Sequence, residues 1–354
     1  MVSLEELLQL LVQRGGSDLH LAAGSPPRIR IDGKLMPTEF DTLTKEESQK
    51  LVYGVLSEDQ IARFEKDMEL DFSFGVDNLG RFRTNVFLQR GSVGAVFRLV
   101  PHAVRAFDDL GLPKKTCTDL CDQPKGLVLV TGATGSGKST TLAAMIDYIN
   151  TTGNYHIMTV EDPIEFVHKN KNCLINQREV GTDTHGFKES LRHVLRQDPD
   201  VVLIGEMRDM ETIEAALTIS ETGHLTFATL HTSDAVQTIN RIIDVFPTGQ
   251  QQQIRTQLSF VLTAVFCQQL IPKSSGKGRT LVSEVMLANP AVRALIRENK
   301  AHQVYSIIQV SGKMGMKTMN QSLYEIYRAG HVTFEDALQY SGDIEDLKKT
   351  FQRG

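Results

Sequence analysis

No segment of this 354-residue chain is apolar for long enough to cross a bilayer. The longest apolar stretch, near Leu258–Cys267, is about half the length a spanning helix needs, and Ser259 and Thr263 interrupt it. A basic N-terminal start is also missing. Glu5 and Glu6 precede Leu7-Leu8, so no secretory signal is expected and the chain reads as cytosolic. Cysteine is scarce: Cys117, Cys121, Cys173 and Cys267 form no paired CxxC arrangement, which favours reduced structural thiols over a zinc site. Excess basic charge is absent too. A net charge of −5 gives no global pull toward nucleic acid or an anionic membrane, and no aromatic–basic tract marks a nucleic-acid groove. With 41% hydrophobic and 23% charged residues, the composition is that of a globular protein with room for two or three domains.

Against these absences stands one complete motif. Gly132-Ala133-Thr134-Gly135-Ser136-Gly137-Lys138-Ser139, with Thr140 following, is a phosphate-binding P-loop. The apolar run Leu127–Val130 leads into it and a helix-forming stretch from Thr140 to Ile146 leads out, which is the strand–loop–helix setting the motif requires. Its glycines let the backbone turn several N–H groups toward one phosphate, and the helix N-terminus favours anions. Lys138 is expected to add a charge near the β- and γ-phosphates, and Ser139 to offer a hydroxyl to Mg²⁺. Nucleotide binding is therefore the first functional expectation.

The rest of the pattern divides the chain. Residues 4–14 space Leu4, Leu7, Leu8 and Leu11 on one helical face, and Gly15-Gly16 ends that helix. Strands follow at Asp18–Leu21, Arg28–Ile31 and Lys34–Met36, the last two joined by an Asp32-Gly33 hairpin signal. Thr44 and Glu47 form a capping box, a second helix is expected near Asp59–Lys66, and strands near Asp71–Phe74, Gly80–Gln89 and Val93–Val100. Asp77-Asn78 and Arg90-Gly91 separate those strands. Residues 1–100 thus read as a small α+β domain, and 101–117, including Pro101 through Pro113, as a linker. From 118 to 288 strand and helix alternate, which predicts a parallel sheet with flanking helices and the P-loop at the carboxyl end of a strand. Residues 289–354 read as a helical region.

Hydrolysis of a nucleotide needs a carboxylate to order Mg²⁺ or the attacking water, and cations for the developing charge. The run Val201–Ile204 ends in Gly205-Glu206-Met207-Arg208-Asp209, a Walker B arrangement in which Gly205 stands where many P-loop enzymes carry the magnesium-binding Asp. Glu206 must then serve alone or through water; the bland alternative is an ordinary surface acid. A second cluster, Glu161-Asp162-Pro163-Ile164-Glu165, follows the strand His156–Val160, and by itself it could equally be a solvated turn. A third, Gly223 to Thr232, carries His224 and His231 around a strand, where Thr229, His231 and Thr232 could sense a γ-phosphate, though lone histidines are more often surface or packed residues.

Taken together and in this order, the four segments resemble the Walker A, Asp, Walker B and His boxes of the secretion ATPases of the type II secretion and type IV pilus class. The string Gly205–Asp209, the helix Ala291–Glu298 and the opening Gly15–Leu21 resemble the members of that class that retract pili. The resemblance implies an α/β fold: a RecA-like P-loop ATPase core, a small PAS-like α+β N-terminal domain and a helical C-terminal region. It implies a homohexameric, ATP- and Mg-dependent motor for pilus retraction, working at the cytoplasmic face of the inner membrane on a membrane platform protein, with ATP bound between the domains of one subunit and completed by a neighbour. An accessory retraction paralogue, a pilus assembly ATPase and a non-hydrolysing nucleotide-dependent scaffold are the rivals. By the same resemblance Glu206 and Glu165 share the water chemistry, His231 contacts nucleotide, and Arg83 and Arg98, with Arg81 nearby, stabilise phosphate charge. Without it, Arg81 and Arg83 on one strand face would be a solvated edge. For Ala291–Glu298 the bland reading is a packed surface helix with a basic edge at Arg293 and Arg297; the sharper one is a coupling element needed for retraction.

Overall fold

A computed structural model describes all residues except Met1, Asp32, Asn78, Pro101, His102 and Gly354. The expected turns at Asp32-Gly33 and Asp77-Asn78 and the start of the linker at Pro101 therefore lie partly outside the described residues. The chain forms two compact units, one of Met1–Ala103 with Glu165–Val167, the other of Val104–Ile164 with His168–Gly354.

In the first unit α1 (Leu4–Gln13) starts at a capping box in which Ser3 and Glu6 satisfy each other's backbone N–H groups. It buries Leu4, Leu7, Leu8 and Leu11, each contributing about 1.5–3 kcal/mol of transfer free energy. Six strands, β1 (Asp18–Leu21), β2 (Arg28–Ile31), β3 (Lys34–Pro37), β4 (Glu69–Val76), β5 (Gly80–Gln89) and β6 (Ser92–Val100), pair antiparallel in the order β3-β2-β1-β6-β5-β4. Helices α2 (Lys45–Tyr53) and α3 (Glu58–Asp67) both open on capping boxes, at Thr44/Glu47 and Ser57/Gln60. Along β5, Phe82, Thr84 and Val86 are buried while Arg83 is exposed, as strand alternation requires.

The second unit holds seven strands: β7 (Gly126–Thr131), β8 (His156–Glu161), β9 (Leu174–Glu179), β10 (Val201–Ile204), β11 (Leu225–Leu230), β12 (Leu262–Pro272) and β13 (Arg279–Leu287). Their order is β13-β12-β7-β11-β10-β8-β9, parallel throughout except for the β12–β13 pair. The inner strands β7 and β11 are buried along their whole length, which is why both read as largely apolar runs without alternation. The helices are α4 (Phe107–Leu110), α5 (Lys114–Cys121), α6 (Lys138–Thr152), α7 (Phe187–Val194), α8 (Met210–Glu221), α9 (Ala235–Asp244) and α10 (Thr248–Val261). After β13 come α11 (Pro290–Arg297), α12 (Val304–Val310), α13 (Met319–Arg328), α14 (Phe334–Gln339) and α15 (Ile344–Arg353). Apolar side chains of α5 and α6 fill one sheet face with Val128, Val130 and Phe227. Those of α8, α9 and α10 fill the other with Leu129, Val202 and Ile204. All four cysteines are buried free thiols. Among the described residues, no helix is long and apolar enough to cross a membrane.

Candidate active site

The P-loop leaves the carboxyl end of β7 and enters α6, and its glycines are conformational necessities at two points. Gly132 sits at φ +138°, where an added Cβ would come within 2.4 Å of the Gln268 carbonyl oxygen and 2.6 Å of Ser136 Oγ. Gly137, at φ +93°, is the left-handed residue that turns the loop into α6. Lys138 Nζ is folded back on its own loop, donating to the carbonyls of Gly132 (2.8 Å) and Ala133 (3.2 Å). Burial pulls this ammonium below lysine's usual range, and the charge of Glu206 opposes that pull. The buried Ser136 hydroxyl has no hydrogen-bond partner among the described residues.

Behind the loop, β12 supplies a support that the sequence did not announce. Gln268 is buried within an apolar strand, and its amide exchanges hydrogen bonds of 2.8 and 3.2 Å with Thr141 Oγ1 in the first turn of α6. The signal available was a lone Gln pair inside the run Leu262–Ile271. At the loop's tip, Arg279 Nη1 reaches the Gly135 carbonyl at 3.4 Å.

Glu206 follows β10, two strands from β7 with β11 between them. Both of its oxygens are engaged: Arg208 Nε donates to Oε2 at 2.8 Å, and His231 Nε2 stands 3.2 Å from Oε1. Arg208 also reaches Asp162 at 3.4 Å, so the end of β8 joins the same cluster. Gly205 makes this convergence possible. Its N–H bonds the Val160 carbonyl at 2.8 Å, and a Cβ there would meet Glu161 Cα at 3.1 Å, so β8 and β10 approach closely where the acids emerge. Thr229 Oγ1 donates to the Gly205 carbonyl at 2.5 Å, fixing the ends of β10 and β11 to each other. Arg208 is thus a site residue that sequence reasoning had only as part of a string; its signal was the Glu-x-Arg spacing directly after a buried strand.

The remaining expected residues are distributed. Ser139 and Thr140 occupy the first turn of α6. His224 lies at the opposite end of β11 from His231, where its Nδ1 is 3.1 Å from both the Ile219 carbonyl and Thr222 Oγ1, a helix-end contact. In the first unit, Arg83 and Arg98 are directly opposed on β5 and β6. Arg98 Nε donates at 2.8 Å to the buried carboxylate of Asp18. Burial would raise that carboxyl, but Ser17 and Arg98 hold it below its ordinary value. Arg83 Nη1 stands 3.8 Å from Glu165 within the same unit, an exposed pair of little energetic weight.

Residues 3–339 match the family described as Type II/IV secretion system protein. The chain belongs to that family. Among its relatives, the type IV pilus retractation ATPase PilT of Pseudomonas aeruginosa is 49% identical over 336 residues, 95% of this chain and 97% of the relative. The type IV pilus ATPase PilU of the same organism is 42% identical over 99% of this chain and 91% of its own length. A crystal structure of the pilus retraction motor PilT with bound ADP superimposes with a TM-score of 0.92 at 51% identity, covering 99% of this chain and all of that one. The Legionella pneumophila ATPase DotB gives a TM-score of 0.77 at 25% identity over 95% of this chain and 94% of its own. The α/β fold and the Type II/IV secretion system family expected from the four boxes are both present.

Proposed function

We propose that this protein is an ATP-hydrolysing motor that drives retraction of type IV pili. The observation that carries the chemistry is Glu206, aimed by Arg208 and His231 at the carboxyl edge of the sheet that also carries the P-loop. The likeness to PilT over nearly the whole chain supplies the retraction reading.

In this reading the backbone of Gly132–Thr140 and the Lys138 ammonium hold the phosphates. Leaving its loop carbonyls frees Lys138 to meet them; burial lowers its proton affinity, and a bound phosphate beside it would raise it again. Mg²⁺ suits the oxygens present, the Ser139 hydroxyl and the Glu206 carboxylate, directly or through water; bound there, it would neutralise developing phosphate charge. Among the described residues no group of three acidic, His or Cys side chains could hold a metal unaided, which fits an ion carried largely by substrate phosphates and water. Glu206 orders the attacking water, Glu165 polarises or deprotonates it, and His231 reports the γ-phosphate to Glu206. Arg83 and Arg98 stabilise phosphate charge in a ring of six identical subunits, Arg98 exchanging its Asp18 contact to do so. The division into a PAS-like domain, a linker, a RecA-like core and a helical C-terminal region belongs to the same proposal, as do the cytoplasmic-face location and the platform-protein partner. No nucleic acid is involved.

Glu206→Gln tests the chemistry. It should abolish steady-state phosphate release while leaving nucleotide binding intact, because the amide keeps the shape and loses the charge. Near-normal turnover in that variant would remove Glu206 from the catalytic role.

A further inference from the structure

One buried carboxylate outside this cluster has no assigned task. Glu284, on β13, is 2% exposed. Its Oε1 accepts the N–H of Ala235, the first residue of α9, at 2.8 Å, and the N–H of Met319, the first residue of α13, faces the same carboxylate and lowers its proton affinity. Two helix N-termini therefore converge on a single side chain, each presenting the positive end of its dipole to the same anion. The chain arranges this deliberately on both sides. Lys317 pairs with Val285 through two backbone bonds of 2.8 and 3.0 Å, which delivers Thr318 and Met319 to the edge of β13. On the other side, α9 begins four residues after His231. The connecting loop is folded onto the helix by Thr232 Oγ1 against Thr238 Oγ1 at 2.7 Å, and Thr238 Oγ1 donates to the Asp234 carbonyl at 2.7 Å.

We propose that Glu284 is a positioning residue for the nucleotide site: shared by the N-termini of α9 and α13, it seats the loop that carries His231 and ties that loop to the C-terminal helices. The inference rests on Glu206 and His231 forming the ATPase centre. A displacement of His231 on turnover must then be carried by α9 to a carboxylate that α13 also uses, so the two helices move together or the bond breaks. Burial pushes the Glu284 carboxyl up to about 7, with Asp234 adding to the rise and the two backbone N–H groups opposing it. The other titratable or charged groups around it are Cys267, directly opposite on β12, Tyr305 on α12, and Lys317, which is itself paired with Glu325.

The test is steady-state ATP hydrolysis by the full chain with a fluorescent nucleotide to measure binding. Glu284→Gln should lower kcat on the order of 10-fold with nucleotide affinity held within about twofold, the pattern of a displaced catalytic group. Wild-type turnover should rise as pH climbs through about 7 while Glu284 ionises, and Glu284→Gln should lose that limb. Combined with His231→Ala, Glu284→Gln should add nothing further, because it acts through His231. Wild-type kcat and pH profile in Glu284→Gln, or losses that multiply in the double variant, would overturn the proposal. Ala235→Pro removes the donor at a helix position where proline is tolerated and leaves Glu284 in place; it should reproduce the kcat loss, and unchanged turnover in it counts equally against the idea. In the wild type, amide exchange at Ala235 and Met319 should be slow, and fast exchange at both overturns the clamp without any variant. If Glu206→Gln retains turnover, the ATPase reading itself fails; if only Glu206→Gln is inactive, the Glu284 role alone fails.

Discussion

Gly205 shows how a single missing side chain sets the chemistry of this site. The position where many P-loop enzymes place an acid is occupied here by a backbone that lies against Val160 and Glu161. The atoms a Cβ would press on belong to the main chain of β8, which cannot swing aside as a side-chain tip would. Gly205→Ala should destabilise the protein by about 1–3 kcal/mol, as overpacking does. It should also lower turnover by shifting Glu206 relative to Arg208 and His231. Thermal unfolding and phosphate release measured together check this: stability loss without any change in kcat would mean that the strand ends absorb the strain away from Glu206. A one-carboxylate Walker B segment is on this view a consequence of how closely β8 and β10 approach.

At the scale of elements, α11 illustrates why a basic helix edge need not be a solvated one. Asn289 caps it, Pro290 opens it, and Val292 and Ile296 bury its apolar side. Arg293, expected on the basic edge, instead turns inward. Its Nη1 donates to the carbonyls of Ser259 and Phe260 at 2.6 Å each, and its Nε to the Ala288 carbonyl at 2.8 Å. The Ser259 and Phe260 carbonyls lie in the last turn of α10, where a cation is favoured by the helix dipole. Arg297 continues the contact, with Phe260 5.9 Å from its guanidinium. Since β12 begins directly after α10 and carries Gln268 to the P-loop helix, α11 braces a strand that supports the nucleotide site. Arg293→Ala should therefore cost about 1–3 kcal/mol, from leaving these half-buried carbonyls without their charged donor. Arg293→Lys should recover only part, lacking the guanidinium fork. Denaturant unfolding reads the loss; if both variants match the wild type, α11 is not a brace.

For the whole molecule, two outcomes are expected that need no residue-level probe. The purified chain with nucleotide should sediment at about six times its 39.4 kDa mass. Cells lacking the gene should carry excess pili that do not retract. A monomer under all nucleotide conditions would leave Arg83 and Arg98 without a shared site to complete, and bald cells would replace retraction with assembly.

What the sequence determined by itself is local. The P-loop, the capping box at Thr44, the alternation of β5 and the β–α order from residue 126 onward follow from side-chain preference and spacing along a continuous chain. Even the Asp box, Walker B and His box are legible as acidic or polar clusters that directly follow apolar strand runs. The polar strand β9 and the helices α9 and α10 escaped such reading. Leu174–Glu179 has only partial apolar alternation because it is an edge strand, and it holds its place by backbone pairing with β8. Only the tertiary structure decided which side chains meet. Glu206, Arg208, His231 and Asp162 come from the ends of three parallel strands, and their convergence depends on inter-strand register and on the gap that Gly205 leaves. Gln268 behind the P-loop and Glu284 between two helix N-termini depend on crossovers that bring distant segments together. Local preference acts over a few residues; these contacts are set by packing between elements far apart in the chain, which no spacing along the sequence encodes.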